Sequence, residues 1–246
     1  MFDRYDRGLI QSAVDSLIAK VRDVGCSVEI EPDFNKLKSF MTERNTFVNP
    51  TYDPNFSNLT DRDFWVHVRD PQGRSIAASA ERVLETDDFM DLLATGQLFY
   101  RGGYADVCDQ DSIDVIRPMT RLSGTVSHSG STWVDRDWRG QGWALIMPYL
   151  SRALSFRNFD CSANTGFVRR NLYQSPVPIE VYGYAHVSQC LNGFFPPQNG
   201  HEELFLCWVS AQDFITKLEA LPNHPRYPVE IPALQQRDGE LAVAAE

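Results

Sequence analysis

Ser131-Thr132-Trp133-Val134, then Asp135-Arg136-Asp137-Trp138, then Arg139-Gly140-Gln141-Gly142-Trp143-Ala144 carries the chain from one kind of structure into another. The first four residues are rich in β-branched and aromatic side chains and favour a strand. From Trp143 onward, Trp143, Ile146, Met147, Leu150 and Leu154 recur at the spacing of an amphipathic helix. Between them sit Gly140 and Gly142. A strand that turns on glycine into a helix leaves the first amide N–H groups of that helix unpaired and pointing one way. The helix dipole adds about half a positive charge at the same place. Such a turn suits a phosphate, and a glycine without Cβ lets a ligand come close to the backbone.

Two other phosphate-binding turns are excluded by the residues. A P-loop needs Gly-Lys followed by Ser or Thr, and no lysine follows Gly142. A dinucleotide-binding turn needs a third glycine where Leu145 stands, and leucine is too large for close helix–strand packing.

The run Arg139 to Ala144 resembles the acyl-CoA-binding motif of the GCN5-related N-acetyltransferases, the GNAT superfamily. That motif reads Arg or Gln, two residues, Gly, one residue, Gly or Ala; Arg139, Gly142 and Ala144 fill its three places. The resemblance implies an α/β protein with a mixed sheet, a GNAT-like acyl-CoA N-acyltransferase fold carrying an extra N-terminal helix. It implies that Val134, Arg139, Gly140, Gln141, Gly142, Trp143 and Ala144 hold the pyrophosphate of acetyl-CoA or another acyl-CoA, used as a cosubstrate without a metal. It also implies a hairpin ahead of the motif strand, and a motif strand that splays from its neighbour to admit the pantetheine arm. A bulge near Gly130 would suit that splay.

The chain departs from the family at the second motif. Relatives often show an Asn, then Leu-Tyr, then Gly-Phe. Here the stretch is Asn171-Leu172-Tyr173-Gln174-Ser175-Pro176 followed by Val181-Tyr182-Gly183-Tyr184, with a shorter Asn-to-Tyr spacing and no Gly-Phe. The general acid therefore stays open among Tyr173, placed first by its Leu-Tyr context, Tyr182 and Tyr184. His128, on the motif strand, is the candidate base, because imidazole titrates near neutral pH. Asp135 and Asp137 flank the turn and suit capping better than catalysis. Arg136, Arg169 and Arg170 are available to CoA phosphates or to solvent.

Composition bounds the function. The chain has 246 residues, 43% of them hydrophobic, enough for a substantial core. Its net charge is −10, from 33 acidic and 23 basic residues, which argues against binding nucleic acid or an anionic membrane, since both reward dense Lys and Arg. The five cysteines are widely spaced with no C-x-x-C, so neither a disulfide framework nor a zinc site is expected. The charged N-terminus lacks the apolar core of a secretory signal, and the expectation is a cytoplasmic protein.

Along the chain, periodicity predicts a first helix through Leu9 to Val21 and a strand over Cys26 to Glu31. A second helix opens at Pro32-Asp33, and a lid-like loop spans Asn49 to Thr60. A hairpin follows over Phe64 to Val68 and Ser75 to Val83, then a helix over Glu85 to Leu93. The motif strand runs Leu122 to Val134 and its helix Gly140 to about Phe156, kinked at Pro148. A strand over Cys161 to Val168, a strand pair over Val181 to Cys190 and Glu203 to Val209, and a helix over Ala211 to Leu221 complete one domain, 1–221. The proline-bearing segment 222–246 reads as an extended or disordered tail.

Together these features point to an acyl-CoA-dependent N-acyltransferase, acting by direct transfer on an amine of a small molecule or peptide. The alternative is the same fold with a degenerate site, a CoA-binding or protein-interaction module. Either is compatible with a homodimer.

Overall fold

A computed structural model describes residues 5–225 and 227. The elements run α1 (Arg7–Asp23), β1 (Ser27–Glu31), α2 (Phe34–Glu43), β2 (Phe64–Arg69), β3 (Ser75–Thr86), α3 (Phe89–Thr95), β4 (Gly124–Val134), α4 (Trp143–Phe159), β5 (Ala163–Arg169), α5 (Arg170–Tyr173), β6 (His186–Phe195), β7 (Gly200–Ser210) and α6 (Ala211–Ala220). Seven strands form one sheet in the order β1-β2-β3-β4-β5-β7-β6. Every pairing is antiparallel except β4 with β5, which α4 joins as a crossover, as a parallel pair requires. A hairpin, β2–β3, precedes the motif strand β4, as the family resemblance implied.

The two faces of the sheet carry different layers. Ile10, Val14 and Leu17 of α1, Phe214, Ile215 and Leu218 of α6, and most of α4 form one core. Phe34, Leu37 and Met41 of α2 pack with Trp65 and Ala78 on the opposite face, beside a second cluster built from α3, Phe99, Tyr104 and Leu206. Helix α4 is enclosed nearly all round: thirteen of its seventeen residues, Pro148 and Arg152 among them, are buried. In place of the expected amphipathic stripe, the helix buries nearly its whole circumference between the sheet and α1 and α6.

β4 bends where the sequence suggested. Gly130 pairs with Ala80 and Trp133 with Ala78, so Ser131 and Thr132 together oppose Ser79. Ser131 takes φ +48° to close this bulge. The β4–β5 ladder then ends early. Its rungs are Val126–Ala163, Ser127–Asn164 and His128–Thr165, although β4 runs on to Val134 and β5 to Arg169. Beyond His128 and Thr165 the two strands part.

Several expectations shift. The segment from Asn49 is no free lid: Pro50, Thr51, Tyr52, Asp53 and Ser57 are buried, and Ser57 donates to Pro50 O and Phe99 O at 2.9 and 3.0 Å. Strand β3 extends through Glu85, and helix α3 starts only at Phe89, where Asp88 accepts from Met90 N at 3.0 Å. Val177–Val181 forms a wide π-type turn, so the last hairpin begins at His186 and its connection shrinks to Pro196–Asn199. Leu221–Asn223 makes one further turn after α6. The rest of the expected tail, Arg226 and residues 228–246, lies outside the described residues. No described helix is long and apolar enough to cross a membrane.

The bulge makes a testable demand. A Cβ on Gly130 would lie 2.6 Å from the Tyr52 hydroxyl, which is buried and donates to His128 O at 3.0 Å. Gly130→Ala should cost about 1–3 kcal/mol in urea denaturation through overpacking. Gly193→Ala, with nothing within 4 Å of its added Cβ, should change stability by roughly 0.5 kcal/mol or less.

Candidate functional site

The turn into α4 is built by two left-handed glycines. Gly140 has φ +79° and Gly142 has φ +88°, a region where a side chain strains the backbone. Asp135 accepts from Asp137 N at 2.9 Å and caps the turn Arg136–Trp138, which aims the chain at Arg139. This capping role accounts for Asp135. Arg139 donates from Nε to Val134 O at 3.2 Å, and Gln141 from Nε2 to Asp137 O at 3.3 Å, so both side chains brace the turn.

Among the described residues, the amide N–H groups of Gly140, Gln141, Gly142, Trp143 and Ala144 find no acceptor; the first bonded amides of the helix are those of Leu145 and Ile146, both to Gly142 O. No acidic residue stands in the first turn of α4. The five N–H groups and the dipole of a seventeen-residue helix therefore meet no countercharge from that turn. A cavity of about 370 Å³ opens on them, lined by Val134, Arg139, Gly140, Gly142, Trp143 and Ala144, with Trp138, Leu145 and Val181 completing its walls. Six of the seven residues expected to bind a cofactor thus share one groove, and Gln141 does not line it. The indole N–H of Trp143, buried in this wall, has no partner among the described residues.

Two tyrosine hydroxyls close the point where β4 and β5 part, one on each face. Tyr52 O–H donates to His128 O at 3.0 Å on the α2 side. Tyr184 O–H donates to Thr165 O at 3.4 Å on the α4 side. Each lies over a glycine: a Cβ on Gly130 would meet the Tyr52 oxygen at 2.6 Å, and one on Gly166 the Tyr184 oxygen at 2.2 Å. Burial raises the pKa of the Tyr184 hydroxyl, so it stays protonated at neutral pH.

Behind Ser129 lies a buried polar network. Glu81 of β3, fully buried, accepts from Ser129 Oγ at 2.6 Å, Ser151 Oγ at 2.8 Å and Asn164 Nδ2 at 3.2 Å. Asn164 Oδ1 accepts from Arg152 Nε at 2.7 Å, and Arg152 Nη1 donates to Tyr182 O at 2.9 Å. The guanidinium carbon lies 4.4 Å from the centre of the Tyr184 ring. Burial drives the Glu81 carboxyl up to about 7, against the opposing pull of its hydrogen bonds and of Arg152. Sequence reasoning missed this group. Its signal was a charged residue inside Ala77-Ala78-Ser79-Ala80-Glu81, a strand otherwise made of small residues.

The remaining candidates fall elsewhere. His128 is buried among Tyr52, Phe89 and Phe167, with Nδ1 at 2.9 Å from Thr165 Oγ1. Burial pushes its pKa down to about 3, which keeps the ring neutral but too weakly basic to take a proton from an ammonium at neutral pH. His128 lies in this buried cluster and outside the groove lining. Tyr173, on α5, is half exposed and stacks on Phe205 at 3.9 Å, away from the groove lining. Tyr182 is part-buried, and burial raises its hydroxyl pKa. Arg169 and Arg170 pair with Glu202 and Glu203 rather than facing the turn.

No protein-family model matches the chain, and no curated protein sequence matches it. Among solved structures it is similar to a spermidine N-acetyltransferase from Vibrio cholerae, at 8% identity and TM-score 0.47 over 78% of this chain and 97% of the other. It is also similar to NAA60 from Arabidopsis thaliana in complex with acetyl-CoA, at 11% identity and TM-score 0.43 over 76% and 99%. A third is the ribosomal-protein-S5-alanine acetyltransferase from Vibrio fischeri, at 11% identity and TM-score 0.44 over 77% and 94%. At such identities and TM-scores the likenesses say nothing of what this chain binds.

The Glu81 network predicts a pH dependence. A carboxyl whose folded pKa is raised from 4.5 to about 7 contributes stability that is present below pH 4.5 and lost as pH rises through 7. Glu81→Gln cannot titrate. Its stability relative to the native chain should rise between pH 5 and pH 8, by an amount on the order of 3 kcal/mol at most. Urea denaturation at several pH values reads this, and a pH-independent difference would show that Glu81 does not titrate in that window.

Proposed function

We propose that the chain is an acyl-CoA-dependent N-acyltransferase of the GNAT type, with the turn Gly140–Ala144 holding the pyrophosphate of the acyl-CoA. The observation that supports this most directly is the row of five unpaired amides, set on two left-handed glycines and open to a groove. An anion of two phosphates offers enough acceptor oxygens for such a row. The groove passes Val134 and Val181, and the parted strands β4 and β5 supply unpaired edge groups to an extended arm, as an added strand would use them.

On this reading Tyr184 is the proton donor. The acceptor nitrogen attacks the thioester carbonyl carbon, the N–C bond forms, the C–S bond breaks, and the electron pair leaves on sulfur. The Tyr184 hydroxyl, held at the parting of the strands by Thr165 O, gives its proton to that sulfur. The proton shed by the amine refills the tyrosine oxygen, so the protein ends unchanged. Arg152, 4.4 Å from the centre of the Tyr184 ring, is a positioning residue, and Glu81 reaches it through Asn164. No covalent intermediate with the protein is needed. The acyl donor is taken to be acetyl-CoA, and a longer acyl chain is tested by competition.

Two variants test the assignment. Gly142→Glu places a carboxylate on the row of amides, at a backbone angle that strains any side chain. Calorimetry with acetyl-CoA should show affinity falling by roughly 100-fold or more, because an anion is repelled from the helix start. Unchanged affinity would remove the turn from the site. Tyr184→Phe should leave acetyl-CoA affinity within about twofold and lower kcat by roughly 10²-fold, the usual size of a general-acid contribution.

A further inference from the structure

On the face of the sheet opposite α4, a cavity of about 280 Å³ lies against the far end of β5. We propose that this cavity takes the acceptor, and that the acceptor is a primary amine carrying an aromatic or branched apolar group. The proposal rests on the acyltransferase reading and names the substrate class of that site.

Position supports it. Phe167, in its wall, comes two residues after Thr165, the last residue of β5 to pair with β4. Alternation puts Thr165 and Phe167 on the same face, and the Phe167 ring lies 5.0 Å from that of His128. The Phe167 wall of the cavity is therefore one ring away from His128 and the last rung of the ladder, on the side away from the amide row. A thioester reaching the parting from one face would meet a nucleophile seated on the other.

The walls decide the chemistry. Phe99 and Phe195 meet edge-on at 5.2 Å, and with Phe167 and Leu204 they form an apolar surface. Phe47 stands at the rim with 51% of its surface in water, and an apolar occupant would cover it. Among the described residues lining the cavity Arg169 is the one charge, and Glu202 engages it at 3.0 Å. No carboxylate lines the cavity to receive a second or third ammonium group. A polyamine would have to give up its hydration against a wall with no countercharge. An amine with a single nitrogen and an apolar body enters as the neutral nucleophile and buries only hydrocarbon. Gln198, also in the wall, supplies an uncharged amide for hydrogen bonding.

The test uses the full chain. Calorimetry first establishes acetyl-CoA binding; a free-thiol assay then compares β-phenylethylamine and isopentylamine with spermidine and a lysine-bearing peptide. The expected result is a kcat/KM for the two apolar amines at least tenfold above that for spermidine and the peptide. Phe47→Glu, at the exposed rim, should raise KM for β-phenylethylamine at least tenfold, narrow its lead over spermidine, and leave acetyl-CoA affinity within twofold. The proposal is overturned if acetyl-CoA binds while thiol is released best with spermidine or the peptide, or with no amine, or if Phe47→Glu leaves KM unchanged. Failure of acetyl-CoA to bind would instead overturn the acyltransferase reading and this proposal with it.

Discussion

The early end of the β4–β5 ladder is the constraint on which the rest of this molecule depends. Two parallel strands that stop pairing in mid-sheet leave backbone N–H and C=O groups without partners, and inside a protein such groups must be satisfied or they cost about 1–3 kcal/mol each. Here the carbonyls of the last rung, His128 O and Thr165 O, each accept from a tyrosine hydroxyl, Tyr52 on one face and Tyr184 on the other. Both hydroxyls need room directly over the strand, and Gly130 and Gly166 provide it. The bulge at Ser131, the buried segment around Tyr52 and the chain reversal before β6 that delivers Tyr184 all serve one purpose: holding the gap open while the carbonyls of its last rung are satisfied.

The same gap explains why charge persists in the core. Ser127 and Asn164 form the rung before the last, Ser129 lies just past it, and the Asn164 side chain bonds those of both serines on the α4 side. Glu81 and Arg152 join that group through Asn164 rather than as a direct pair. A network of this kind is tolerated only when nearly every member is bonded. Arg152 Nη2 is the exception, buried without a partner. Replacing the whole set by apolar groups could keep the core; removing one member strands the others. The network therefore makes Tyr184 rigid and polar on one side at the cost of a carboxyl that ionises only near neutrality.

How much of this was legible in the residues follows from how local each cause is. The turn into α4 was legible because Gly140 and Gly142 act within a few residues, and their left-handed angles are what glycine permits at little cost. The bulge was legible for the same reason, as Gly130 marks it in the strand. The last hairpin was misplaced because Val181-Tyr182-Gly183-Tyr184 has strand-like composition, yet Pro176 and Pro178 force a wide turn that packs Val181 and Tyr184 against α4. The segment after Asn49 looked like a surface loop by its Asn, Pro, Asp and Ser content. Its burial depends on Tyr52 reaching His128, seventy-six residues away, and no local pattern encodes that contact. Glu81 was missed likewise: its partners Ser129, Ser151 and Asn164 come from three other elements.

The placement of α4 joins these threads. Because it is buried nearly all round, its N-terminus is held at a fixed point beside the sheet rather than fraying into solvent, and the row of amides keeps its direction. A surface helix with the same glycine turn would offer the same donors but spend part of any binding energy on ordering them. Here that ordering is settled in folding, by Ile146, Met147, Leu150 and Leu154 packing into the core that also contains Val181 and Tyr184. The groove wall at Val181, the hydroxyl at the parting and the amide row are thus fixed by one body of apolar contacts. The energy that folds this face of the protein is the same energy that aligns the anion site with the gap, and the two cannot drift apart without loss of the core.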